Sequence, residues 1–274
     1  MIRALNIGPM PDRWTLPDQD AALKWCLRRN EQGIRCIMDV LGRYGQDEEK
    51  ARRSVNDYMQ LLAEIEGRQL RASIAVKPST LGGTVGRQHT VRFVRAICER
   101  SNELHVGFEL DMEGQRMVDL TLEMAENLAL SGLGITVALQ AYLNRTPRDI
   151  ERMLDAGARI RLVKGTYTGD IRDFTLISEA YKDLVEQIIS RDVPFCVATH
   201  DPELLEWVQR RFHDRDMMEL SFLKGLADDT KCRLVSSGWK VSEYVPFGSN
   251  REGYESRRKA YLRALDEIGR VPAP

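Results

Sequence analysis

Residues 134–165 read GITVALQAYLNRTPRDIERMLDAGARIRLVKG and contain a complete strand, helix and strand. The run GITVAL at 134–139 is short, apolar and rich in β-branched residues, which predicts a buried strand. Thr146 is expected to cap the following helix, with Pro147 at its first position. A second strand is predicted at 159–163, ending at Lys164 and Gly165. Because a crossover helix joins parallel strands, this stretch indicates an α/β fold.

The same alternation continues on both sides of this stretch. Eight strands are predicted, at 33–42, 70–76, 105–110, 134–139, 159–163, 193–198, 218–222 and 240–245. Helices are predicted between them and at 254–268, the last of them. Eight strand–helix units in 274 residues favour a single (β/α)8 barrel of the TIM type, a fold of about 250 residues.

A doubly wound open sheet is the structural alternative, but the early glycines Gly82, Gly83 and Gly86 lack the G-x-G-x-x-G spacing of a dinucleotide-binding turn. We expect a catalytic barrel at residues 33–274 and an N-terminal extension at 1–32. A helix predicted at 18–30 in this extension would cover the lower end of the barrel.

The composition restricts the partners and the location of the protein. Its 40 basic and 41 acidic residues give a formal net charge of -1, which excludes strong attraction to nucleic acid. No stretch is long and apolar enough to span a bilayer, so we expect a cytoplasmic protein and leave peripheral membrane contact open. The cysteines are scattered without a CxxC pair and are predicted to be reduced and buried: Cys26, Cys36, Cys98, Cys196 and Cys232.

Polar side chains concentrate where the predicted strands end, which is where barrel enzymes place their active sites. The last helix adds four residues at spacings of three and four, so they share one helical face: Tyr254, Arg257, Arg258 and Tyr261. Arg257 and Arg258 together are suited to binding a carboxylate. No two histidines have metal-ligand spacing, and no metal site is expected.

Seven motifs carry a family resemblance over nearly the whole chain. They are AVKPSTLG (75–82), ELDMEG (109–114), LQAYLNRT (139–146), RLVKGTY (161–167), ATHD (198–201), ELSFLKGL (219–226), and YVPFG (244–248) followed by YESRR (254–258). In these motifs and their order the chain resembles the flavin-dependent proline dehydrogenases, which occur as monofunctional enzymes or as the dehydrogenase part of bifunctional proline-utilisation enzymes.

The resemblance implies a barrel that binds FAD, oxidises proline to Δ1-pyrroline-5-carboxylate by hydride transfer, and passes electrons to a quinone or another acceptor. By this resemblance Asp111 and Arg161 are the expected catalytic residues. The positions matching flavin contacts are Met112, Gln140, Arg161, Lys164, Gly165, Thr166, Thr199 and His200. Those matching the substrate pocket are Lys77, Leu223, Tyr244, Tyr254, Arg257 and Arg258. Gly165 is expected to let the backbone approach the cofactor, since it has no Cβ.

Two departures from the family pattern concern the substrate pocket. Arg251, Glu252 and Gly253 replace an aromatic stretch, and Tyr261 replaces a glutamate, so a related small amino acid or secondary amine is an alternative substrate. Another acid would have to compensate for the missing carboxylate beside the two arginines, and Asp111 and Glu113 are the candidates. Two other functions remain open: a Schiff-base aldolase or lyase using Lys164, and a degenerate binding barrel without activity.

Overall fold

The structure, a computed structural model, describes residues 12–42, 47–84, 86–267 and 269, and within them eight parallel strands close into a barrel. The barrel confirms the predicted fold class. Each strand pairs with its sequence neighbours, and β8 closes on β1 with Ile37 opposite Tyr244. The strands are β1 (Arg35–Val40), β2 (Ala72–Val76), β3 (Gly107–Leu110), β4 (Thr136–Gln140), β5 (Arg159–Val163), β6 (Phe195–Ala198), β7 (Met218–Leu223) and β8 (Lys240–Phe247).

Helices alternate with the strands, and every predicted strand overlaps an observed one. The helices are α1 (Gln19–Glu31), α2 (Glu48–Gly67), α3 (Arg87–Glu103), α4 (Gln115–Leu130), α5 (Thr146–Asp155), α6 (Phe174–Ile189), α7 (Pro202–Arg211), α8 (Asp228–Ser236) and α9 (Glu252–Glu267), with a 3₁₀ helix at Pro78–Leu81. Strands β2 and β4 are buried along their whole length, as expected when helices cover the outer face of a parallel barrel.

Helix α1 does not cover the lower end of the barrel, so this prediction is wrong. It runs along the outer wall and contacts β1, β8 and α2. Trp25 Nε1 donates to Glu243 Oε1 at 2.6 Å, and Arg29 Nη2 lies 2.9 Å from Glu243 Oε2. These bonds tie α1 to the outer face of β8, the side away from the cavity-lining Tyr244. The division of the chain at residue 32 stays a prediction.

Helix α5 begins differently from the prediction. Thr146 is the first helical residue and Pro147 follows it, while Arg145 occupies the N-cap position without a side-chain capping bond. The Thr146 hydroxyl instead donates to the backbone oxygen of Gln140 at 2.5 Å. It therefore ties the start of α5 to the end of β4.

The barrel interior contains a charged network, whereas branched aliphatic side chains usually fill this space. Arg35 Nη2 lies 2.7 Å from Glu219 Oε1 and 3.1 Å from Glu109 Oε1. Arg159 lies 3.1 Å from the other oxygen of Glu219, and Arg161 lies 2.9 Å from Glu109 Oε2. Burial alone would raise the pKa of Glu219, but Arg35 and Arg159 lower it to about 2. The sequence pattern did not predict this network.

Four of the five cysteines are buried and unpaired, as predicted, but Cys232 is exposed on α8. Each buried thiol lies among packed side chains, and burial raises the pKa of Cys98 and of Cys196 to about 12. Within the described residues, no helix has the length and apolar character needed to cross a membrane.

Candidate active site

A cavity of about 440 Å³ opens at the carboxyl ends of the strands and is covered by one face of α9. Every residue named above for substrate or cofactor lines it, and so does Tyr261. They are Lys77, Asp111, Met112, Gln140, Arg161, Lys164, Gly165, Thr166, Thr199, His200, Leu223, Tyr244, Tyr254, Arg257 and Arg258. The individual roles of these residues stay predictions.

The floor of the cavity is a hydrogen-bonded group of charged side chains. Lys77 Nζ donates to Asp39 and, at 2.8 Å, to Tyr244 Oη, and lies 3.1 Å from Asp111 Oδ2. The Tyr244 hydroxyl donates to Asp111 Oδ2 at 2.5 Å. Burial and the charge of Asp111 hold the pKa of Tyr244 well above its ordinary value, so the phenol stays protonated. The floor therefore presents a fixed ammonium, a carboxylate and a phenol to whatever binds above.

Arg161 connects this floor to the charged network inside the barrel. Its guanidinium pairs with Asp111 above and Glu109 below, and lies 5.4 Å from the ring centre of Tyr244. Burial alone would raise the pKa of Asp111, but Lys77 and Arg161 outweigh it and lower that pKa. Asp111 is therefore a permanent anion at the base of the cavity.

Lys164 is held by an ion pair and does not have the environment of a Schiff-base lysine. Its Nζ lies 2.7 Å from Asp201 Oδ2 and 2.9 Å from Ser178 Oγ, and 3.7 Å from the ring centre of Phe174. Asp201 is almost fully buried and also caps α7. A Schiff base forms from a free amine, so the paired ammonium gives the aldolase interpretation no support.

Gly165 is required for a reason that was not predicted, and its approach to the cofactor stays a prediction. Its φ of +121° lies in the left-handed region, and an added Cβ would be 1.7 Å from Cε1 of Tyr142. The close approach is thus to a protein side chain. The Tyr142 hydroxyl in turn accepts from the backbone N–H of Tyr167 at 3.1 Å. Tyr142 thereby shapes the loop that carries Lys164, Gly165 and Thr166 along the cavity.

His200 is a neutral histidine that fixes the end of β7. Its Nε2 accepts from the backbone N–H of Leu223 at 2.8 Å. Burial, together with the positive charges of Arg258 and Lys231, lowers the His200 pKa well below its ordinary value. The neighbouring Thr199 hydroxyl oxygen accepts from the backbone N–H of Asp201 at 3.1 Å. The segment after β6 is therefore rigid, and its histidine carries no charge at neutral pH.

The roof of the cavity consists of arginine and tyrosine side chains from α9. The Arg258 guanidinium lies 5.6 Å and 5.5 Å from the ring centres of Tyr254 and Tyr261. Arg257 lies 5.5 Å from the ring of Tyr167. Among the described residues, neither arginine forms an ion pair with an acidic side chain, and the buried Nε of Arg258 has no hydrogen-bond partner. The roof therefore carries positive charge that an anionic ligand could neutralise.

The expected compensation of these arginines by Asp111 and Glu113 does not occur. Asp111 pairs with Lys77 and Arg161, as described above. Glu113 accepts from the backbone N–H of Ser79 at 2.9 Å and from its hydroxyl at 2.5 Å. Burial raises the pKa of Glu113, in part offset by these bonds. Both acids therefore bind residues at the strand ends and neither binds the two roof arginines, so the predicted compensation is wrong.

Several cavity residues were missed by sequence analysis. Asp39 lies beneath Lys77 and is fully buried, with one carboxylate oxygen lacking a hydrogen-bond partner. Burial raises its pKa against the opposing effect of Lys77. Tyr167, Ser221 and Phe222, unlike Asp39, line the cavity itself. Asp39 could have been found, because an acid inside the apolar run CIMDV is unusual for a buried strand.

Comparisons with known proteins point to one family. The family model described as proline dehydrogenase matches residues 22–267. Proline dehydrogenase 2 of Bacillus subtilis (strain 168) is 24% identical over 251 residues, which cover 89% of this chain and 83% of that protein. The proline dehydrogenase of Deinococcus radiodurans is 27% identical over 254 residues, covering 88% and 82%.

The fold is also found in solved structures. Proline utilization A (PutA) from Bdellovibrio bacteriovorus, solved after inactivation by N-propargylglycine, superposes with a TM-score of 0.80 at 21% identity. The superposition covers 89% of this chain and 32% of that one, so the present chain spans about a third of the larger protein. This likeness confirms the barrel.

Proposed function

The chain belongs to the proline dehydrogenase family, and we propose that it is an FAD-dependent dehydrogenase that oxidises L-proline to Δ1-pyrroline-5-carboxylate. The observation that carries the proposal is the cavity itself. An anchored acid–lysine–tyrosine floor faces two arginines that have no acidic partner among the described residues. A small substrate with both a carboxylate and an amine suits this distribution of charge.

The cavity residues also suit a flavin. A site of about 440 Å³ is in the range of small-molecule sites, and its walls combine aliphatic side chains with fixed donors. Arg161 and Lys164 are cations held by buried acids. A positive charge near the ring stabilises the reduced, negatively charged cofactor. The remaining contacts to the flavin would come from Met112, Gln140, Gly165, Thr166, Thr199 and His200. When bound, FAD would supply the hydride acceptor.

The residues of the chain would bind and orient the substrate. Arg257 and Arg258 would hold the carboxylate, with hydrogen bonds to charged groups worth about 1.5–3 kcal/mol each. Leu223, Tyr244 and Tyr254 would pack against the aliphatic ring and exclude water. Beneath them, Asp111, Arg161 and Lys77 would fix the local charge as the amine loses a proton and a ring carbon loses a hydride. Electrons would then pass to a quinone or another acceptor.

An absorbance spectrum tests the proposal. The purified protein should be yellow, the visible band should bleach when L-proline is added without oxygen, and acid should release the flavin because it is not covalently bound. Asp111→Asn should keep the flavin and bleach more slowly. Asp119→Asn is the matched control, since Asp119 is an exposed acid paired with Arg145, and it should bleach like the wild type.

Other outcomes would identify the alternatives. A colourless protein that borohydride traps with a carbonyl substrate would indicate a Schiff-base lyase. A protein that binds no flavin and turns over no amine would be a binding barrel. A yellow protein that bleaches with another secondary amine and not with proline would keep the cofactor and change the substrate.

A further inference from the structure

Residues 12–16, here called the strap, are fixed firmly to the barrel. Leu16 pairs with the end of β8: its N–H donates to Pro246 O at 2.9 Å and its carbonyl accepts from Gly248 N at 3.0 Å. At the end of β7, Lys224 Nζ donates to the backbone oxygens of Asp12 and, at 2.9 Å, Arg13. The strap is therefore part of the rigid barrel rim.

The strap packs closely against the barrel, without room for an additional atom at Gly225. Arg13 Nε donates to Gly225 O at 3.3 Å, and a Cβ on Gly225 would be 2.3 Å from the backbone oxygen of Arg13. Trp14 and Leu16 are buried, and Thr15 is completely buried. Because the strap packs this closely, a group that binds to its outer side is held at a fixed position relative to the barrel rim.

The other side of the strap binds α9. The Thr15 hydroxyl donates to Glu255 Oε1 at 2.8 Å, and Arg251 Nη1 lies 2.7 Å from Asp12 Oδ1. Within the described residues, α9 has no extended backbone packing against another helix or strand. Side-chain contacts such as these two therefore hold the first turns of the helix in place over the cavity.

Glu255 lies between the roof residues in sequence, one residue after Tyr254 and two before Arg257. From this geometry we infer that Thr15 is a positioning residue, which through Glu255 fixes α9 and so the two arginines that receive the substrate carboxylate. The inference builds on the proposed function. A displacement of about 1 Å in groups that position a substrate can lower kcat/KM up to a hundredfold, so the loss of one hydrogen bond at this point should have a measurable effect on KM.

Replacing Thr15 with valine tests the inference, because valine has nearly the same shape and lacks the hydroxyl. We expect KM for L-proline to rise about tenfold, as for one lost hydrogen bond to a charged group. The kcat and flavin content should stay near wild type, since the floor residues belong to the strands. Thr15→Ser restores the donor and should restore KM. Amide hydrogen exchange in α9 should become faster in Thr15→Val and not in Thr15→Ser.

Thr121→Val is the matched control, since Thr121 is equally buried and its hydroxyl donates to Met117 O at 2.8 Å within α4, away from the roof. It should lower the melting temperature to a similar extent and leave KM and α9 exchange unchanged. If Thr15→Val raises KM no more than Thr121→Val does, Thr15 has only a structural role and the inference is overturned.

Two further variants, at Glu255 and at both Glu255 and Thr15, test the role of the strap separately from the proposed function. Glu255→Ala should reproduce the effect of Thr15→Val, and the double variant should be no worse than either single one, because both remove the same bond. Additive effects would contradict the inference. If the wild-type protein oxidises no amine, the proposed function fails, and the exchange of α9 in the same variants still decides whether the strap holds the helix.

Discussion

Replacing Arg258 with methionine should weaken substrate binding while leaving the fold as stable as before. Arg258 is 8% exposed and its Nε has no hydrogen-bond partner. Within the described part of the chain, its guanidinium lies near the rings of Tyr254 and Tyr261 and donates to the Tyr254 hydroxyl at 3.5 Å. Loss of a charge-assisted hydrogen bond of about 1.5–3 kcal/mol would raise KM roughly ten- to a hundredfold. Removing an unpaired buried charge is favourable, and it offsets the lost contacts with the aromatic rings, worth about 0.5–2 kcal/mol.

The matched comparison is Arg161→Met, at an arginine with two buried acidic partners. Removing one member of a buried ion pair costs about 3–5 kcal/mol, because the carboxylates of Asp111 and Glu109 are left uncompensated. For a domain of this size that corresponds to a fall in melting temperature of roughly 10 °C. The two substitutions delete the same type of side chain, one from the floor and one from the roof of the cavity, and only Arg161→Met should lower the melting temperature substantially.

The assay is steady-state oxidation of L-proline together with calorimetry of both variants. An unchanged KM in Arg258→Met would show that the guanidinium does not contact the substrate. A fall in melting temperature as large as that of Arg161→Met would show that Arg258 has a structural partner. Either result would refute the conclusion that Arg258 is an unpaired cation that binds the substrate.

Two further substitutions follow from the cavity. The His200 pKa is lowered in the folded state, so its contribution to stability is present above pH 6.5 and is lost as pH falls below it. His200→Gln should therefore remove part of the loss of stability between pH 6.5 and 5, which calorimetry at both pH values measures and which is at most about 1.4 kcal/mol per pH unit; an unchanged pH dependence would contradict this. Burial raises the pKa of Tyr261 to about 12 despite Arg258, so the phenol is neutral. Tyr261→Glu should change the relative kcat/KM values for proline, its ring-substituted analogues and acyclic amino acids. If each kcat/KM changes by less than about twofold, Tyr261 lies outside the substrate site.

The strand ends were predictable because the pattern that reveals a barrel strand also marks where it stops. A β-branched run ends at Lys77, at Asp111 or at Lys164, and closure of the sheet brings these ends together. The same closure explains why residues far apart in sequence, such as Lys77 and Tyr244, meet at 2.8 Å. The site could be located before its geometry was known because the fold alone determines this convergence.

What the sequence did not reveal depends on packing between elements distant in the chain. Helical periodicity identifies α1 and α9 but contains no information on which surface each one covers. The charged interior was missed because Glu109 and Glu219 resemble the polar face of an exposed strand until the barrel closes around them. Thr15 gave no signal, because its role depends on a carboxylate 240 residues away.

Helix α9 supplies the roof from one short piece of chain that is separate from the barrel wall. Tyr254, Arg257, Arg258 and Tyr261 all reach the cavity from it, whereas the floor is spread over the strands. On the proposed function, the part of substrate preference that the roof sets can diverge within a single exchangeable segment while the strands keep their sequence. Grafting residues 252–267 from a relative with another preference, with Thr15 retained, would measure how much of that preference the roof alone transfers.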